Sequence, residues 1–159
     1  MKGTQEEKKL YRKVLATPVG RMEIVATEEE ILSVDYTADA CGGESNALCR
    51  KAAEELEEYF SGKRKTFDLP LKKAASPFAD KVYEETKKIP YGKTTSYGAL
   101  ARAMGKPGAA RAVGTALSKN PHVILMPCHR VVRQDGSVGK YTGGADKKVA
   151  LLILEGSRS

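Results

Sequence analysis

Tryptophan is absent from this 159-residue chain, and the residues that most often carry chemistry are scarce: three cysteines and two histidines. Cys41, Cys49 and Cys128 are odd in number and widely spread, which excludes a disulfide framework. Cys128, His122 and His129 lack a recognised zinc spacing, so no metal and no other cofactor is expected. No apolar run approaches the roughly 18 residues of a membrane span. The opening MKGTQEEKKLYRK lacks the apolar stretch of a secretory signal. These absences predict a cytoplasmic protein with no membrane partner. Amide side chains are rare too: Asn46, Asn120, Gln5 and Gln134 are all there are. With abundant Lys and Glu, this resembles the composition of proteins from hot environments. A melting midpoint in the mesophilic range would contradict that expectation.

Hydrophobic residues make up 41% of the chain, enough for a core in one ordinary domain or two small ones. The net charge of +7 is unevenly placed. Residues 1–74 hold 13 Lys+Arg against 14 Asp+Glu, a net of −1. Residues 75–159 hold 14 against 6, a net of +8. A half that carries all the excess positive charge points to a polyanionic partner such as nucleic acid, against the plainer reading of a basic surface.

The first half reads as strands and then a helix. YRKVLATPVGRMEIVATEEEILSVDY (11–36) has short β-rich runs separated by turn signals at residues 17–20 and 28–30. Ser45 or Asn46 caps a helix running to about Ser61, with Leu48, Ala52, Leu56, Tyr59 and Phe60 as its apolar stripe. TFDLPL (66–71) reads as an exit strand and linker, and the half as a whole reads as a scaffold.

The second half is helical and then irregular. Ser76-Pro77 is a helix start, and Phe78, Val82, Thr86 and Ile89 follow at helical spacing. Thr95 or Ser96 caps a second helix with Tyr97, Leu100, Ala101 and Met104 on one face. After the turn GKPG (105–108), a third helix spans about 109–119 with Ala110, Val113, Gly114 and Leu117 at the same spacing. Two short helices around a Gly-containing turn in the basic half suggest a helix-turn-helix. The third helix is thin, being rich in Ala and Gly, and only Arg111 projects off its apolar stripe. That suits DNA held by shape and phosphate contacts, with little base reading. VILM (123–126) reads as a short buried strand, and residues 133–144 as a loop with a turn at Asp135-Gly136. A last helix from near Asp146 is expected to bury Val149, Leu152 and Ile153, with Glu155 at its end.

MPCHRVV (126–132) sets Cys128 beside His129. From the residues alone, Cys128 is either a packed small hydrophobe or a reactive thiol. The thiol reading needs a base and a group to orient it, for which His129 and Glu155 are candidates. A thiol hydrolase and a helix-turn-helix regulator both remain open at this point.

IPYGKTTSYGALARAMG (89–105), AARAVGTALSKNP (109–121), ILMPCHRVV (124–132), GSVGKYTGG (136–144) and LLILEG (151–156) together resemble the O6-alkylguanine-DNA alkyltransferases. The match runs almost without gaps from about residue 76 to 156; before that it is architectural only. The resemblance implies an α/β (α+β) fold. A strand-rich, ribonuclease H-like domain is expected over residues 1–74 as a scaffold. A helical, winged-helix-like domain with the helix-turn-helix is expected over 75–159.

It also implies direct-reversal DNA repair: irreversible, stoichiometric transfer of an alkyl group from O6-alkylguanine, and O4-alkylthymine, to Cys128 after the nucleotide is flipped out. His129 is then the base, acting through a water and oriented by Glu155, and Tyr97 serves N3 of the leaving guanine. Arg111 is the finger that fills the vacated space, with Ala110, Thr95 and Ser96 as further DNA contacts. Asn120, Val131, Tyr141, Thr142 and Gly143 are expected around the base, Asn120 as a hinge and the glycines at 143 and 144 allowing close approach. The partner is double-stranded DNA, gripped through the minor groove by a monomer. Two departures stand out. Residues 1–75 contain no histidine, so the zinc site of some members is not expected, and Cys41 and Cys49 read as unpaired thiols, with a local disulfide between them as the alternative in a thermophile. Position 123 is Val where some members have Pro, a change expected to bear on alkyl size.

Overall fold

A computed structural model describes residues 8–158; residues 1–7, which the expected first domain includes, and residue 159 lie outside the described residues. Strands β1 (Tyr11–Thr17), β2 (Gly20–Ala26) and β3 (Ile31–Tyr36) form an antiparallel sheet in the order β1-β2-β3. Alternation puts Met22, Ile24 and Ala26 of β2 on the buried face. In β3 the buried residues Ile31 and Val34 are three apart. A bulge resolves the parity: Val25 pairs Ser33 and Ala26 pairs Ile31, leaving Leu32 as the extra residue.

Helix α1 (Ala47–Phe60) covers this face with Cys49, Ala52, Ala53, Leu56 and Tyr59. Its cap is Asn46, whose Oδ1 accepts from Cys49 N at 2.8 Å and whose Nδ2 donates to Thr27 O at 3.1 Å. One side chain thus starts the helix and pins it to the β2–β3 turn. Cys41 is exposed and Cys49 buried, and both are free thiols.

The second half carries helix α2 (Pro77–Lys87), capped by Ser76, and the two-residue strand β4 (Thr95–Ser96). Helices α3 (Tyr97–Ala103) and α4 (Ala110–Ser118) flank the expected turn and make the helix-turn-helix. Val82, Leu100, Ala101, Val113 and Leu117 from the three helices share one core with Met126, Cys128 and Val131. A single 3-10 turn spans Cys128–Arg130, strand β5 is Val131–Val132, and α5 is Ala145–Leu154. β4 and β5 pair in parallel, Thr95 with Val131 and Ser96 with Val132. So short a ladder has no alternation for a sequence to display.

Strand β3 also joins the two halves. Ile31 N donates to Pro70 O and Lys72 N to Ile31 O, at 2.7 and 2.8 Å. Val34 N donates to Pro121 O at 2.7 Å, and Val123 N to Val34 O at 3.0 Å. The linker and the segment leading to Cys128 therefore hang on the same strand edge. Of the expected exit strand at 66–71, only Leu71 makes a bridge.

Two expectations are corrected. VILM is buried but is a run of turns, with Ile124 at φ 70°. Burial alone does not distinguish a strand from a packed turn, and this segment bends to deliver Cys128. The inward face of α5 is Lys148, Leu151 and Leu152, while Ile153 is 48% exposed. Lys148 on that face and Glu155 at its C-cap are charged, so a purely apolar reading selected the neighbouring stripe. Among the described residues no helix is long and apolar enough to cross a membrane.

Candidate active site

Cys128 sits at the start of the 3-10 turn, 5% exposed. Asn120 clamps it: its Nδ2 donates to Sγ at 3.1 Å and to Met126 O at 3.0 Å, and its Oδ1 accepts from His122 N at 2.8 Å. The expected hinge asparagine is thus a buried donor to sulfur. Burial pushes the Cys128 thiol up to about 11; the Asn120 hydrogen bond and the charge of Lys148 pull against it without prevailing. At neutral pH the resting group is the thiol, and any nucleophilic use requires a base.

A candidate for that base is adjacent in sequence. His129 is fully buried, and its Nε2 lies 2.7 Å from Glu155 Oε2. Glu155 also accepts from Arg130 Nε at 2.8 Å, Arg130 Nη2 at 3.0 Å and the Tyr59 hydroxyl at 2.5 Å. Burial alone would raise its carboxyl, but the His129, Arg130 and Tyr59 hydrogen bonds outweigh it and hold it near 2. His129 goes the other way: burial lowers it despite the Glu155 hydrogen bond and charge, and the nearby charges of Arg130 and Lys148 lower it further. The imidazole is therefore neutral. Facing an ionised carboxylate, which only accepts, its Nε2 carries the proton. Nδ1 is left as a buried lone pair with no hydrogen-bond partner among the described residues.

Tyr97 and Lys148 form a second pair. Lys148 is 0% exposed and packs its Nζ over the Tyr97 ring, 5.6 Å from the centroid. The ammonium donates to Lys140 O at 3.2 Å and to the Tyr97 hydroxyl at 3.4 Å, and no carboxylate pairs with it among the described residues. Burial pushes it down to about 8, with Cys128 opposing. The Tyr97 ring is boxed in by glycines. A Cβ on Gly139, itself at φ +75°, would stand 2.9 Å from its hydroxyl, and one on Gly114 would stand 3.7 Å from its ring.

Cys128, Tyr97, Tyr141, Thr142, Lys140 and Gly114 line a small cavity of about 20 Å³, roughly room for one water. Tyr141 is held by a 2.9 Å hydroxyl contact with Tyr36. The close approach at Gly143 is to this same Tyr36, whose ring a Cβ there would meet at 2.5 Å. Outside lies a groove of about 690 Å³ lined by Ala110 and Arg111 of α4 on one side, with Tyr97, Gly114, Ser118 and Lys140 common to both spaces. The remaining expected residues lie elsewhere. Val131 is wholly buried in the helical core, Thr95 pairs in the β4–β5 ladder, and Ser96 caps α3 through Ala99 N at 3.0 Å.

Arg130, Lys148, Tyr59 and Tyr36 join the site without having been expected there. For Lys148 a signal existed: Lys148, Leu151, Leu152 and Glu155 fall at i, i+3, i+4 and i+7, and all are buried. Two charges on the inward face of a helix mark a site. The two tyrosines come from 96 and 105 residues away, and nothing local announces them.

Known proteins share both halves of this architecture. Residues 77–157 match the model of the 6-O-methylguanine DNA methyltransferase DNA binding domain, and residues 10–73 that of its ribonuclease-like domain. The methylated-DNA–protein-cysteine methyltransferase of Methanosarcina acetivorans is 36% identical over 155 residues, covering 93% of this chain and 99% of its own. The constitutive enzyme of that name from Bacillus subtilis is 36% identical over 154 residues, covering 90% and 93%. The Mycobacterium tuberculosis O6-methylguanine methyltransferase structure superposes with a TM-score of 0.81 at 32% identity, covering 95% of each chain. Mycobacterium tuberculosis OGT in complex with DNA gives 0.84 at 34%, covering 94% of each. On these matches to both halves, the chain belongs to the 6-O-methylguanine DNA methyltransferase family.

Proposed function

We propose that this protein repairs DNA by direct reversal, taking the alkyl group of O6-alkylguanine, and of O4-alkylthymine, onto Cys128 in a single turnover. The observation that carries this reading is a buried thiol held by Asn120 and paired in sequence with a neutral histidine whose free lone pair is Nδ1. His129 takes the thiol proton through a water, and Glu155, locked by Arg130 and Tyr59, stabilises the imidazolium that forms. The sulfur attacks the alkyl carbon in line; the S–C bond forms as the C–O6 bond breaks. Tyr97 gives its proton to N3 of the departing guanine, and the Lys148 ammonium beside its hydroxyl favours that loss. No group here reverses a thioether, so one protein serves one lesion.

A guanine does not fit 20 Å³, so its entry must displace the walls formed by Tyr141, Thr142 and Lys140. The thin face of α4 suits the minor groove, with Arg111, exposed beside Ala110, placed to fill the stack. In this reading residues 1–74 are the scaffold, residues 75–159 bind DNA and accept the alkyl group, and the protein works as a cytoplasmic monomer.

Incubation with duplex DNA carrying one O6-methylguanine, followed by peptide mass analysis, tests the claim. One methyl on the Cys128 peptide, at no more than one equivalent per protein, is expected. An unmodified Cys128 would refute it.

A further inference from the structure

The groove above Cys128 has two walls, and α4 supplies only one of them. Beyond Arg111 of α4, the charged lining of the groove is Arg133, which opens the β5–α5 loop, and Lys140 within it. Every charged residue lining the groove is a cation. Both side chains are exposed, and neither makes an ion pair or donates a side-chain hydrogen bond among the described residues.

The loop between them is braced. Arg133 N donates to Ser137 O and Gly136 N to Arg133 O, both at 2.9 Å. The nearest acid, Asp135, is occupied inside the turn, its Oδ1 accepting from Ser137 N at 2.9 Å and Ser137 Oγ at 2.6 Å. Arg158 ties the tip down through Gly136 O at 3.3 Å. At its far end the loop packs Gly139 against the Tyr97 hydroxyl. Two exposed cations without an ion-pair partner among the described residues, on a braced loop and across from a helix that offers the groove one arginine, suit a polyanion threaded between them.

We infer that Arg133 and Lys140 form the second jaw of the DNA cleft, holding the phosphates that flank the extruded nucleotide while α4 occupies the groove of the duplex. The inference rests on the DNA-repair reading and adds residues to it. It also ties strand grip to leaving-group chemistry, because the loop that holds the backbone is the one that positions Tyr97.

The test neutralises the jaw while leaving the thiol in place. Arg133→Ala, Lys140→Ala, the double variant, the charge-keeping Lys140→Arg, and Lys51→Ala on exposed α1 surface as a control are compared with the unaltered protein. Binding to undamaged duplex is measured across a salt series. Loss of each phosphate contact is expected to reduce the slope of log K against log salt by about 0.9. Affinity at roughly 0.1 M salt should fall several-fold per substitution, with Lys140→Arg near the unaltered value and Lys51→Ala unchanged. Methyl transfer from duplex DNA should slow in parallel; in Arg133→Ala, whose side chain lines only the outer groove, reaction with free O6-methylguanine base, which has no phosphate, should not slow. An unchanged salt slope in the double variant overturns the jaw. So does an equal loss of rate with the free base in Arg133→Ala. If the unaltered protein accepts no methyl group at all, the repair reading fails, while the salt slope still decides the jaw.

Discussion

At the scale of single residues, the site is a set of charges whose burial sets their state. Lys148 shows this most directly. Its ammonium sits in the protein at about 8, below its ordinary 10.5, chiefly because it is buried. The unfolded chain therefore binds more protons between those values, and the folded state gains stability as pH rises through that window. At neutral pH the buried charge is a burden on the fold, on the order of 2 kcal/mol. Lys148→Met should consequently raise stability in urea at pH 7 and slow methyl transfer by about tenfold or more. In the unaltered protein the rate should decline as pH rises through about 8, where the ammonium is lost, and that limb should vanish in Lys148→Met. A variant that is both less stable and equally fast would contradict the assignment.

At the scale of elements, α5 and the turn before Cys128 decide how the site is delivered. The helix presents Lys148, Leu151, Leu152 and Glu155 inward, so one face supplies packing, the tyrosine's cation and the histidine's carboxylate. Leu152→Ala should cost about 2–5 kcal/mol in chemical denaturation, as a core truncation does. Ile153→Lys, at a position 48% exposed, should stay within about 0.5 kcal/mol of the parent. Equal losses at the two positions would mean that the helix face is misassigned. The turn at residues 123–126 places Ile124, a β-branched residue, in the left-handed region, a strain of about 1–3 kcal/mol that surrounding burial must offset.

For the molecule as a whole, both halves contribute to the candidate site. The core under the sheet takes Val123, Ile124, Leu125 and Leu151 from the second half, while Tyr36 and Tyr59 reach from the first to Tyr141 and Glu155. His122 belongs to this seam: its Nε2 lies 3.1 Å from Lys72 O, and its Nδ1 is buried without a partner among the described residues. Burial holds it below its ordinary 6.5, with the Lys72 carbonyl opposing, and burial holds His129 down as well. Each contributes stability above pH 6.5 that is lost as pH falls through the depressed native value. Glu155, ionised down to about 2, does not share in that loss until pH drops below its ordinary 4.5. The urea midpoint should therefore fall between pH 7 and 5, and His122→Gln, which keeps a donor for Lys72 O, should flatten the decline. A midpoint independent of pH over this range would exclude the buried neutral histidines.

Much of this architecture is legible in the sequence, and the reason is locality. The caps Asn46, Ser76 and Ser96, the helix-turn-helix and the pairing of Cys128 with His129 all rest on residues within a few positions of one another. Glu155 is a candidate from its place at the end of the last helix, and the resemblance carried by IPYGKTTSYGALARAMG adds Tyr97. What the sequence could not decide depends on packing between distant segments. The bend that makes VILM a turn, the inward rotation of α5 that buries Lys148, and the reach of Tyr59 and Arg130 to one carboxylate carry no period to read. The sequence by itself determined that Cys128 and His129 are chain neighbours, a candidate thiol beside a candidate base. Tertiary structure decided their protonation, because burial and the contacts around each group set that state.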